Sequence, residues 1–247
     1  MVTLADGTTL NTLANVSIAN KTELGGSVAV NTADQTSATF VSTAVISDAS
    51  NATGILKKEG KGTLVLDSAN TYSGGTQIND GRVAVSQNAA LSTGAVALAA
   101  TATLDATANV TLANKMTLAA GATVETSANL TLANQVTNEG LSLNGSGNAT
   151  FNAKQNANTI VVESKVTGTG GITKDGDGSL ILKSANDYVG STIVNKGTVV
   201  VASQGALSTG AVTLNAGTTL ETANQVNLAN VINLAGKANL SVATNNN

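Results

Sequence analysis

The chain has 247 residues with no Cys, Pro, His or Trp, two Phe, two Tyr, 11% charged residues and a net charge of −3. Those absences exclude disulfides, thiolate or imidazole catalysis and metal centres built on Cys or His, and near-neutral charge with a single Arg, Arg82, argues against the clustered cations of a nucleic-acid footprint. With 42% apolar residues the chain is not a disordered tail, no run of about 20 apolar residues forms a spanning helix, and 2% aromatics imply a thin, repetitive core.

In chain order, residues 8–24 (TTLNTLANVSIANKTEL) open a pattern that never leaves the sequence. Their ANVSIAN returns as ANVTLAN at 108–114, ANLTLAN at 128–134 and NQVNLAN at 224–230. Residues 60–105 align without a gap to 176–221 at a constant offset of 116, with 25 of 46 positions identical, and the same register extends the internal repeat to 60–125 against 176–241. Fixed-period self-similarity of this kind marks a solenoid.

Position parity decides between helix and strand. Leu98, Leu104, Val110, Leu112, Met116, Leu118, Val124, Leu130, Leu132 and Val136 are all even-numbered, the period of an extended chain with one face inward. Upstream, Leu64, Leu66 and Ile78 are even, Val83, Val85 and Leu91 odd, and Val96 even again. The switches fall at Asp80-Gly81 and Ser92-Thr93-Gly94, and the second copy switches at Lys196-Gly197 and Thr209-Gly210. One inserted corner residue exchanges the inward and outward sets, and Gly supplies the positive φ such corners need.

Short strands joined by Gly, Asn and Ser corners at a spacing of about 20 residues predict an all-β fold, a parallel β-helix of roughly 11–12 coils and about 55 Å in length. The missing Pro fits continuous ladders. Residues 1–247 read as one solenoid, opening late in one repeat and stopping after the same point of another, as a piece of a longer rod would.

At 62–86 and 178–202 the pattern G-x-L-x-L-x-x-x-N-x-Y-x-G-x-T-x-(I/V)-N-x-G-x-V-x-V resembles the autotransporter-associated β-strand repeat of Gram-negative type V passenger domains. ALSTGAV at 90–96 and 206–212 is similar to the usual continuation. The resemblance implies a right-handed β-helix, exported through its own outer-membrane barrel to the cell surface or secreted, with adhesion or cell–cell aggregation as the common role. Ser191, where the first copy has Gly75, is a departure.

Several side chains invite chemistry. Lys174-Asp175-Gly176-Asp177-Gly178 has the look of a calcium loop, but the matching Lys58-Glu59-Gly60-Lys61-Gly62 lacks the carboxylates that a hard cation requires, so a surface turn is expected and no metal or cofactor is assigned. Asp105, Glu125 and Glu221 follow inward apolar residues and should point outward. Asp105 and Glu125, one coil apart, could form the acid/base pair of a polysaccharide-cleaving enzyme, but without a cationic column they read as solvated charges and no catalytic residue is assigned. Tyr72 and Tyr188 read as loop packing rather than sugar platforms, and Thr-x-Thr at 101–103 does not recur coil after coil. The outward residues of the short motif are the candidate interaction face: Asn109 and Thr111, Asn129 and Thr131, with Gln225 and Asn227 as counterparts. Such an uncharged strip suits association with copies of the same chain on neighbouring cells, or with a host surface molecule. Nucleic acid and membrane insertion of this segment are not expected.

Overall fold

A computed structural model describes residues 1–32, 38–133 and 140–242. Val136 and Asn134, the last residue of ANLTLAN, lie outside the described residues. Within them every regular element is a strand. Val2–Ala5, Thr9–Thr12 and Val16–Ile18 start three different sheets, and Thr22–Gly25, Ser27–Thr32 and Thr39–Ser42 pair onto them in parallel in the same order. Repeating that step builds a three-sided parallel β-helix of between eleven and twelve coils.

The three sides are not equally continuous. The third carries eleven strands in register, from Val16–Ile18 to Ile232–Leu234, and the second carries eight, from Thr9–Thr12 to Val166–Gly168. The first side is split into a sheet of three strands and one of seven. Loops 67–75 and 86–95 fill the split, and loops 183–191, 202–211 and 223–231 take over the second side beyond Gly168.

Asparagine side chains carry the ladder across these loops. The Asn70 Oδ1 accepts from the Ile46 N–H at 2.8 Å while its Nδ2 donates to the Ala90 carbonyl at 2.6 Å. Asn186 does the same between Val166 and Ala206, at 2.8 and 2.6 Å. A carboxamide offers one peptide's donor and acceptor, so it replaces a strand residue where the chain leaves the sheet.

The core follows the parity. Leu98, Leu104, Val110, Leu112, Met116, Leu118, Val124, Leu130 and Leu132 are all buried, as are Leu64, Leu66, Ile78, Val83, Val85 and Leu91. The corner glycines Gly81 and Gly197 sit at φ 65° and 68°. At the next corner the positive φ belongs to Ser92 and Ser208 (53° and 50°), not to Gly94 and Gly210. Gly94 is needed for a different reason: a Cβ there would lie 2.4 Å from the Gly75 backbone of the previous coil.

One outward column was hidden by uneven coil lengths. On the third side Thr39, Thr63, Arg82, Thr103, Thr123, Thr150 and Thr173 are partners in successive coils. Thr therefore fills six of these seven positions, as a single column interrupted by Arg82 and not as Thr-x-Thr. Stacked β-branched residues suit a pleated surface, each cross-strand pair adding about 0.2–1 kcal/mol.

The 116-residue repeat and the coil are out of phase. Ile55–Glu59 lies on the second side, but its counterpart Gly171–Asp175 lies on the third; Thr63–Leu66 lies on the third, but Ser179–Leu182 on the first. Thr76–Ile78 and Arg82–Val85 shift in the same way to Thr192–Val194 and Thr198–Val201. One repeat thus spans five coils plus one side, and the second copy is turned by a third of a turn.

Candidate interaction faces

The proposed amide strip is divided between two sides. Val110–Leu112 and Asn129–Leu132 are neighbours on the first side, with Thr111 opposite Thr131. Their inward partners Val110, Leu112, Leu130 and Leu132 are buried, which turns Asn109, Thr111 and Asn129 to solvent and leaves Thr131 half-exposed. Part of the amide capacity is used within the rod: Asn109 Oδ1 accepts from the Asn129 N–H at 3.1 Å, and Asn129 Oδ1 accepts from both the N–H and the hydroxyl of Thr159 at 3.0 Å. Gln225 and Asn227 lie in loop 223–231 on the second side, with Gln225 at φ 66° and Asn227 tied through its backbone to Gln204. The first four residues form one surface, and the last two are a third of a turn away from it.

Asp105 and Glu125 stack as neighbours, but they are not solvated. Each is only 6% exposed. Arg82 Nη1 donates to Asp105 Oδ2 at 2.7 Å and also to Glu125 Oε1. Lys154 Nζ lies 3.0 Å from Asp105 Oδ2 and 3.1 Å from Glu125 Oε1, and Asn152 Nδ2 donates to Glu125 Oε2 at 3.2 Å. Burial alone would raise the Glu125 pKa, but hydrogen bonds from Arg82 and Lys154 hold it below the usual carboxylate range. A general acid needs the opposite shift, so the pair is an ionic clasp over four successive coils. The cationic column absent from a linear reading comes from residues 23 and 49 positions from Asp105, brought together by unequal loops.

The calcium-like turns already hold a cation, and it is a lysine. Lys58 and Lys174 are fully buried. The Lys174 ammonium donates to the carbonyls of Asp175 and Gly176 at 2.7 Å and of Lys196 at 3.2 Å. Lys58 reaches the equivalent carbonyls of Glu59, Gly60 and Asp80. Desolvation lowers both pKa values to about 8, against partial support from Asp80 and Glu59 at Lys58 and from Asp175 and Asp177 at Lys174. The signal was the even parity of both lysines, which puts them in the inward set.

Tyr72 and Tyr188 are also fully buried, their hydroxyls 2.6 and 2.7 Å from those of Thr76 and Thr192. Ser92 and Ser208 donate from the next coil to the Tyr72 and Tyr188 carbonyls, which accounts for serine at the positive-φ corner. Each repeat therefore closes on a buried Asn, Tyr, Thr and Lys. This constellation coincides with the matches of a family model, the passenger-associated-transport-repeat, at residues 56–85 and 172–201. The chain carries two copies of the passenger-associated-transport-repeat. The two passenger repeats are again 116 residues apart. The chain is also 34% identical over 79 residues to the adhesin BmaC autotransporter of Brucella suis biovar 1 (strain 1330), a stretch covering 32% of this chain and 2% of that protein. No solved structure matches.

Proposed function

We propose that this passenger segment acts at the bacterial cell surface as part of an adhesin, without catalysis, and that it adheres by lying alongside copies of itself. An autotransporter relative named as an adhesin supports the adhesive role. The observation that favours a like partner over a host glycan is the burial of every aromatic ring: Phe40, Tyr72, Phe151 and Tyr188 are 5%, 0%, 0% and 0% exposed. Sugar recognition by stacking needs exposed rings, and this rod offers flat ladders of hydroxyls, amides and short aliphatics. Weak contacts on such a surface add along its length, and a net charge of −3 opposes them little. In the full-length protein a C-terminal outer-membrane barrel is expected to hold the rod at the surface.

The test is clumping of cells that display the passenger, alongside light scattering of the purified chain over a concentration series. Self-adhesion predicts concentration-dependent growth in size and clumping without added host material. A chain that stays monomeric, on cells that stay dispersed, would overturn it. Replacing Asn109, Thr111, Asn129 and Thr131 by Asp measures the share of the first-side strip.

A further inference from the structure

Asn144-Gly145 is the one Asn-Gly pair in the chain. It ends the strand Leu141–Asn144 on the second side, where Asn144 is exposed and Gly145 turns the corner at φ 101°. Glycine leaves its own nitrogen uncrowded, because no Cβ stands beside it. That nitrogen is also unoccupied: among the described residues the Gly145 N–H donates to no carbonyl or side chain. At the amide itself, the Ser142 hydroxyl donates to Asn144 Oδ1 at 2.9 Å, drawing electron density away from Cγ as an oxyanion-hole donor does. The four Asp-Gly pairs lack this arrangement. The Gly7 and Gly178 nitrogens are bound to the Ser27 and Ala153 carbonyls at 2.8 and 3.0 Å, and those of Gly81 and Gly176 to the Oδ1 of the aspartate before each, at 2.8 Å.

We propose that Asn144 is a site of covalent self-modification, at which the coil converts its own amide into an acid. The Gly145 nitrogen attacks Asn144 Cγ. The new N–Cγ bond forms as the Cγ–Nδ2 bond breaks, and the Gly145 proton leaves with Nδ2 as ammonia. Solvent water then opens the cyclic imide. Attack at Cγ leaves aspartate, and attack at the backbone carbonyl leaves isoaspartate, in which the main chain runs through the side chain. Either product adds one negative charge to a net charge of −3. Isoaspartate also displaces the corner. The Asn144 carbonyl accepts from the Ala120 N–H of the previous coil at 2.9 Å, and the Gly145 carbonyl from Thr169 Oγ1 of the next coil at 3.1 Å. The Ala120 bond holds the peptide between residues 144 and 145 in place, so ring closure requires a local opening of the corner, and the folded chain reacts more slowly than the unfolded one.

The test is incubation of the purified chain at pH 7 and pH 9, with the chain in denaturant as reference. Mass spectrometry of the tryptic fragment 116–154 and labelling by an isoaspartyl-specific methyltransferase read the product. Residue 144 is expected to show the amide-to-acid mass change ahead of every other asparagine, faster at pH 9, and anion exchange of the native chain should resolve a more acidic species. Asn144→Gln, whose longer arm has to close a larger ring, should remove that species while circular dichroism stays as in the wild type. Ser142→Ala should slow conversion several-fold in the folded chain and leave the rate in denaturant unchanged. A folded chain that keeps Asn144 intact while the denatured chain converts, or a first acid that appears at another asparagine, would overturn the proposal. Ser142→Ala converting at the wild-type rate when folded would overturn the part assigned to the serine.

Discussion

Residues 56–85 and 172–201 bury matching side chains: Lys58 with Lys174, Leu64 with Leu180, Asn70 with Asn186, Tyr72 with Tyr188 and Thr76 with Thr192. The outward positions between them diverge. Arg82 corresponds to Thr198 and Asp105 to Glu221, and the ionic clasp of the first copy has no equivalent around the second. The two copies also face different sides of the rod. The repeat specifies how a coil closes and how it stacks on the next, and it leaves free which side a coil faces and what it displays.

If that holds, equivalent interior changes should cost the same in both copies. Asn70→Ala and Asn186→Ala each leave a buried N–H and a buried carbonyl without a partner, at about 1–3 kcal/mol per group. Denaturant unfolding should show losses of about 3 kcal/mol that agree between copies; a twofold disparity would break the comparison. Lys58→Met and Lys174→Met remove a charge that is costly to bury and orphan its carbonyls, so a smaller paired loss of about 2 kcal/mol is expected.

Exterior changes should separate the copies. Arg82→Ala opens the clasp and should cost about 1 kcal/mol, because Arg82 is partly exposed and screened, whereas Thr198→Ala should be within about 0.5 kcal/mol of neutral. Acid sharpens the contrast. Because the folded pKa of Glu125 is depressed, its contribution is complete above the unfolded value of about 4.3 and is lost as pH falls through the lower folded value. Glu125→Gln should flatten that acid limb.

The alkaline limb tests the two buried lysines together. With folded pKa values of about 8 for Lys58 and Lys174, the folded chain releases these protons before the unfolded chain does. Stability should rise from about pH 8 towards pH 10, and K58M/K174M should lose the rise. Above about pH 10 the raised pKa values of Tyr72 and Tyr188, caused by burial, act in the opposite sense, since the unfolded tyrosines then ionise first.

Strand parity, corner positions and coil number were legible because a side chain's inward or outward sense in a strand is local: it alternates with residue number and switches at an inserted corner. The burial of Leu98 through Leu132 follows from that alone. The clasp was not legible, because Arg82, Asp105, Glu125 and Lys154 are spread over 73 positions and meet only after loops of unequal length have been wound. The short motif shows the same limit. ANVTLAN is a first-side strand and NQVNLAN a second-side loop, so similar sequence did not give one continuous face.

Length, composition and charge determined by themselves that the core is a thin aliphatic stack and that neither a thiol nor an imidazole is available for chemistry. The tertiary structure decided which outward residues share a side, and it turned two apparent surface charges, Lys58 and Lys174, into buried cations that close their own turns. The physical reason is that inward or outward orientation is set residue by residue, whereas the side a residue faces depends on the summed length of every coil before it.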